Sequence, residues 1–179
     1  IIVIGGGAAG LLAAGQAALT GADVLLLEKM NRPGRKLRIT GKGRGNLTNT
    51  APLRDFLNHF GPTGKFLRPA FGQFFNRDLL TFFESIGVGT VEERGGRVFP
   101  ASNEALDVVA WLEEWVTAAG VTTRYEMRVN RLLIDAGHVT GVEAVYFPYR
   151  TGRDKHKPLP AKARQPETFR ADAVIIAMG

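Results

Sequence analysis

The chain has no cysteine among its 179 residues, which excludes a disulfide framework and any thiol redox pair within it. That absence suits a reducing compartment, and the cytoplasm is the expected location. No uninterrupted apolar run reaches the roughly eighteen residues that a membrane-spanning helix needs, so no membrane partner is expected. The three histidines, His59, His138 and His156, are scattered. None stands at metal-ligand spacing from a partner, and no metal site is expected. Ser85 and Ser102 lack a G-x-S-x-G setting, and Ser102 reads as a helix-start residue ahead of Glu104. The acidic pairs Glu92-Glu93 and Glu113-Glu114 are adjacent, so their side chains diverge in either strand or helix. No acid–base or nucleophile constellation is left, which fits a site whose reactive chemistry is carried by a cofactor.

What is present is concentrated at the start. Ile1-Ile2-Val3-Ile4 is wholly apolar, suited to a strand buried on both faces of a parallel sheet. Gly5, Gly7 and Gly10 then satisfy G-x-G-x-x-G. Residues 8–20 are rich in alanine and leucine, good helix formers with small side chains. Gly21 stops that helix, and residues 22–28 supply a second strand ending in the carboxylate of Glu28. In such a unit the first glycine makes the tight turn, the second leaves room for a pyrophosphate and the third lets helix and strand approach. The phosphates lie on free N–H groups at the positive end of the helix. Glu28 stands at the right distance to accept hydrogen bonds from a ribose diol. Strand, glycine turn, helix and terminal acid together predict dinucleotide binding, against the alternative of a tight βα turn without a ligand.

A net charge of +6 raises the question of nucleic acid or an anionic surface. The positive charge falls mainly in two loops, and solvated loops with phosphate contacts explain it without either. The first loop, 29–49, shows little apolar periodicity and carries Gly34, Gly41, Gly43 and Gly45 among Arg32, Arg35, Lys36, Arg38, Lys42 and Arg44. A connection of that length inside a compact domain is usually functional. The second, 148–168, is proline-rich and basic and is expected to be an extended excursion with little to bury.

Between the loops, Leu79, Phe82, Phe83 and Ile86 share one helical face, with Asn76 as N-cap and Gly87 as stop. Phe66, Phe71, Phe74 and Phe75 are expected in a core or a domain interface. Residues 91–99 read as a hairpin turning at Gly95-Gly96, and a second amphipathic helix is predicted over 104–119, ended by Gly120. Three β segments, 121–127, 129–135 and 139–147, follow, and 169–177 returns as one buried strand. No domain boundary is read inside the chain. It opens within a strand and stops just past another, and so reads as the N-terminal part of a longer protein.

Four blocks of sequence resemble the BaiN/RdsA-type family of NAD(P)/FAD-dependent oxidoreductases, within the wider group of two-dinucleotide-domain-type flavoproteins. They are residues 5–10 with Glu28; 34–36 running into 40–49; Gly96-Arg97-Val98-Phe99-Pro100-Ala101-Ser102; and 171–179. The second block is the specific one. The resemblance implies an α/β fold, a FAD/NAD(P)-binding Rossmann-like domain in which helices, a parallel sheet and a β-meander form three layers. It implies FAD, with Gly5, Gly7, Ala8, Ala9 and Gly10 at the pyrophosphate and Glu28 at the adenosine ribose. Lys29, Arg35 and Lys36 would flank the adenine or diphosphate. Thr40, Gly41, Gly43, Arg44, Gly45 and Asn46 would run past the ribityl chain towards the isoalloxazine. Val129 would present backbone to adenine, and Ala177, Met178 and Gly179 would turn beside the diphosphate. Two positions depart from the pattern: Gly45 stands where the family usually has cysteine, and Met178 replaces the usual threonine. The implied function is an oxidoreductase acting on a small-molecule substrate, with NAD(P)H as candidate electron donor. The competing readings are an NAD-dependent dehydrogenase, and a flavin-binding module whose basic loops grip RNA.

Overall fold

The computed structural model describes residues 1–148 and 165–178, which divide into two compact units. The first comprises Ile1–Lys36 and Leu112–Gly179, the second Leu37–Trp111.

The first unit is built on a four-stranded parallel sheet, ordered β10-β1-β2-β6. Its strands are β1 (Ile2–Ile4), β2 (Leu25–Leu27), β6 (Thr122–Arg124) and β10 (Val174–Ile176). Helix α1 (Ala8–Leu19) lies between β1 and β2, as its alanine-rich run predicts. Side chains in a strand alternate between faces. Ile2, Ile4 and Leu27 accordingly share a buried cluster with Met127, Val142 and Ala144 of a second, antiparallel sheet. The alternation turns Val3 and Leu26, both fully buried, to the opposite face, the side of α1. The second sheet is the meander β7 (Met127–Asp135), β8 (His138–Tyr146) and β9 (Glu167–Arg170), joined in that order. The expected three-layer α/β arrangement is therefore what forms.

Two expectations in this unit need correction, and the end of a third segment shifts. The segment 121–127 is not one strand: residues 122–124 pair with β2 and complete the parallel sheet, while Met127 already opens β7. The return at 169–177 is two strands in two sheets, Phe169 pairing with Val142 of β8 and Val174 with Ile2 of β1. An apolar run carries no mark of where the chain changes partner, so local pattern merged them. The excursion at 148–168 lies largely outside the described residues, and its last positions, Glu167 and Thr168, are already β9.

The second unit holds a three-stranded antiparallel sheet ordered β3-β5-β4, from β3 (Thr48–Asn49), β4 (Thr90–Glu93) and β5 (Arg97–Pro100). The predicted hairpin is present, with Gly95 and Gly96 both at positive φ, as such a tight turn demands. The loop read at 29–49 is more ordered than expected, containing a 3-10 segment, Leu37–Gly43, and β3. Between β3 and β4 run α2 (Leu53–Asn58), a 3-10 segment (Gly61–Leu67), α3 (Arg68–Gln73) and α4 (Asn76–Ser85). The rings of Phe56, Phe60, Phe71 and Phe75 pack together here, with centroids 5.1–6.2 Å apart. Phe66 and Phe74, expected in a core or a domain interface, are exposed and so lie outside this core. Asn76 does not cap α4. It is buried inside the helix's first turn, its amide donating to the Asn49 and Ala51 carbonyls, while Asp78 accepts the Phe75 N–H at 2.7 Å. Helix α5 (Ala105–Ala118) lies partly in each unit, 105–111 in the second and 112–118 in the first. Among the described residues no helix is long and apolar enough to cross a membrane.

Candidate dinucleotide site

The carboxyl end of the parallel sheet in the first unit carries the glycine turn. Gly5 leaves β1 with φ +103, and a Cβ there would lie 2.8 Å from the Ala177 carbonyl oxygen. A Cβ on Gly10 would collide with the Gly5 carbonyl oxygen, so helix and strand are in direct backbone contact. Gly7 differs from both, since nothing stands within 4 Å of its Cβ position. It is also the N-cap of α1, where no side chain caps the helix and Ala8 and Ala9 are exposed. The amides of the first helical turn have no intrahelical acceptor. With the helix dipole they make an open, positive cradle for an anion. A pyrophosphate fits what is there.

Glu28 follows β2 and is buried to 8 % exposure. Its Oε2 accepts the Gly6 N–H at 2.6 Å and its Oε1 the Met30 N–H at 2.7 Å. The carboxylate thus braces the glycine turn from the second strand. Each oxygen retains a lone pair for a ribose hydroxyl. Gly6 is absent from the expected contacts, yet it donates to Glu28, accepts from Gly34 at 2.8 Å and would press a Cβ on Pro33. The G-x-G-x-x-G rule leaves that position open, so no local signal marks it. Lys29, Arg35 and Lys36 are exposed, with Arg35 Nη1 3.7 Å from Met30 Sδ. Val129 lies in β7 opposite Ala144, packed against the Ile2–Ile4 cluster and next to a register shift at 130. Ala177 donates to the Ile4 carbonyl at 2.9 Å, Met178 is exposed, and Gly179 is outside the described residues.

The remaining expected residues belong to the second unit. Thr40 Oγ1 donates to the Leu37 carbonyl at 2.8 Å. Gly41, Lys42, Gly43 and Gly45 all have positive φ, at 56°, 60°, 90° and 79°. Asn46, with its amide nitrogen turned to the strand, donates to the Val98 and Thr48 carbonyls at 3.2 and 3.3 Å. Leu47 N–H donates to Val98 and Thr50 N–H to Gly96, each at 2.8 Å. Two blocks far apart in sequence, 40–49 and 96–102, thus form one packed body. Arg44 is held by that body, bonded to Glu93 and Asn103, neither of which was expected to matter. The hydrogen bond to Glu93 and that carboxylate's charge hold the Arg44 guanidinium above its ordinary value. Arg44 in turn holds the Glu93 carboxyl below the usual carboxylate range.

An open pyrophosphate cradle at a βαβ turn, with an acid at the end of the second strand, defines a dinucleotide-binding Rossmann domain. The chain belongs to the HI0933-like protein Rossmann domain family, which it matches over residues 1–179. It is 37% identical over 149 residues to the 3-dehydro-bile acid delta(4,6)-reductase of Clostridium scindens, covering 82% of this chain and 36% of that protein. It is 30% identical over 128 residues to the ribosomal RNA dihydrouridine synthase of Escherichia coli, covering 72% of this chain and 31% of that one. The crystal structure of Thermovibrio ammonificans THI4 superposes with a TM-score of 0.63 at 16% identity, over 99% of this chain and 56% of the other. That likeness shows the shared fold. The chain spans about a third of the length of the two curated relatives.

Proposed function

We propose that the chain is the FAD-binding domain of an oxidoreductase that reduces or oxidises a small molecule. The uncapped N-terminus of α1, open at Gly7 and framed by buried Glu28, is the observation that carries this reading. Gly5, Gly7, Ala8, Ala9 and Gly10 hold the pyrophosphate, and Glu28 takes the ribose diol. Lys29, Arg35 and Lys36 screen its negative charge, with Val129, Ala177 and Met178 lining the adenine and diphosphate. A role for the 40–46 turn along the ribityl chain is what the family resemblance implies. Bound FAD would supply two-electron chemistry that no side-chain constellation among the described residues offers.

What the two relatives' names share supports a substrate class. A 3-dehydro-delta(4,6) bile acid and the uracil ring of uridine each carry a carbon–carbon double bond conjugated with a carbonyl group. We extend that class to this protein, with NAD(P)H as electron donor. The test is to release and identify the cofactor of the full-length protein, then screen reductants and conjugated carbonyl compounds without oxygen. A colourless protein that releases no flavin overturns the reading in favour of an NAD-dependent dehydrogenase. A second reading, contact with RNA through the basic loops, is favoured by the net charge of +6 and by the E. coli relative's name. Affinity for RNA that falls steeply with salt would support it.

A further inference from the structure

We propose that Arg44 is a positioning residue, which holds the 40–46 turn in its ligand-ready shape through Glu93, Asn103 and Phe99 and does not itself touch the ligand. The functional half of this proposal rests on the FAD reading above. Arg44 Nη2 and Nη1 donate to the two oxygens of Glu93 at 2.5 and 3.3 Å. Nε and Nη2 donate to Asn103 Oδ1 at 3.0 and 2.6 Å. The guanidinium carbon lies 4.1 Å from the centre of the Phe99 ring. Four of the five guanidinium donors and one π face are therefore committed inside the unit. A guanidinium so occupied is poorly placed to grip a phosphate, but well placed to fix the backbone that carries it.

That backbone needs fixing. Gly41, Lys42 and Gly43 are consecutive left-handed residues, and Lys42 adopts φ 60° with a Cβ. A non-glycine side chain in this region costs free energy, and surrounding contacts must offset it. Two backbone bonds close the turn: Gly45 N–H to the Thr40 carbonyl at 3.0 Å and Arg44 N–H to the Gly41 carbonyl at 3.3 Å. Arg44 sits between those glycines, so anchoring its side chain to β4, β5 and the turn before α5 sets where the turn is held. Asn103, itself left-handed at φ 57°, offers its oxygen from that turn. A lysine at 44 would keep the charge yet lose both the planar fork and the ring stacking.

The experiment uses the full-length protein and three variants, Glu93→Gln, Asn103→Gly and Arg44→Lys. Asn103→Gly removes the acceptor while still allowing the left-handed backbone, so it serves where Glu93→Gln does not fold. Hydrogen exchange of the peptide covering 40–46, read by mass spectrometry without flavin, should rise roughly fivefold in each variant as the charge-assisted network is lost. The FAD dissociation constant should rise by a similar factor, with a changed visible circular dichroism of the bound flavin. Unchanged exchange at 40–46 in every variant overturns the clamp. Faster exchange with unaltered FAD affinity and dichroism overturns the positioning role and leaves a purely structural contact. Parent protein that binds no FAD overturns the proposed cofactor instead, while the exchange still decides whether Arg44 holds the turn.

Discussion

Two glycine-rich turns serve this chain, and Gly10 in the first and Gly43 in the second need to be glycine for different reasons. In the turn at 5–10 the limit is space: a Cβ on Gly10 runs into the Gly5 carbonyl. In the turn at 41–45 every glycine is held at positive φ, and Gly41 and Gly45 are crowded as well. Gly43 has nothing within 4 Å of its Cβ position, yet its φ is +90. The first turn is locked by packing of a helix on a sheet. The second is a strained loop locked by its own bonds and by Arg44. The resemblance implies a family cysteine at position 45, and with it that Gly45 is the most tolerant of the loop glycines. Packing argues against that for Gly45 relative to Gly43, because Gly45 is buried with a Cβ position 3.0 Å from Ala105 Cα at φ +79, whereas nothing stands within 4 Å of the Gly43 Cβ position.

Substitutions separate the two cases. Gly10→Ala should have the largest effect, about 3 kcal/mol of stability, because overpacking at rigid backbone cannot relax. Urea unfolding of the variant measures it, and a loss of under about 1 kcal/mol would place the helix farther from the strand than described. Glu28→Ala comes next, weakening FAD by about 1–3 kcal/mol through lost ribose acceptors. It should also lower thermal stability in the absence of flavin, since the Gly6 and Met30 amides lose their partner. Titration of apoprotein with FAD, beside a melting curve, reads both, and an unchanged dissociation constant removes Glu28 from the site.

The loop glycines follow. Gly45→Ala should cost about 2 kcal/mol and Gly43→Ala about 1 kcal/mol, the latter from dihedral strain alone. Flavin occupancy should fall in Gly43→Ala while far-UV circular dichroism stays native. If these glycines supplied only flexibility, alanine would instead stabilise by about 0.4–1 kcal/mol. The sign of the change in melting temperature distinguishes the accounts. The smallest effect is expected for replacing residues 149–164 with a short glycine-containing turn, which leaves β9 and its pairing with β8 in place. Flavin content of the purified full-length variant should match the parent, and loss of flavin with the fold retained would give that excursion a role at the site.

Local signals made a large part of this legible. The apolar run 1–4, the spaced glycines and Glu28 are short-range patterns whose physics acts over a single βαβ unit. The Gly95-Gly96 hairpin and helix α5 were readable for the same reason, since turn dihedrals and helical periodicity belong to neighbouring residues. The aromatic cluster was half readable. Periodicity marks Phe82 and Phe83 as helical, but it cannot tell that Phe66 points outward while Phe71 joins Phe56 and Phe75.

The sequence by itself determined that a strand, a glycine turn, a helix and a strand ending in an acid would follow one another. Each is specified by residues at most a few turns apart. Tertiary structure decided the rest. It sent 122–124 to the parallel sheet and split 167–176 between two sheets, choices made by which edge remains unpaired. It brought Glu93 and Asn103 to Arg44 across 49 and 59 residues of chain. It also turned Glu28 onto the Gly6 amide. Such pairings are fixed by long-range burial and hydrogen bonding, which leave no period or motif in the string of residues that makes them.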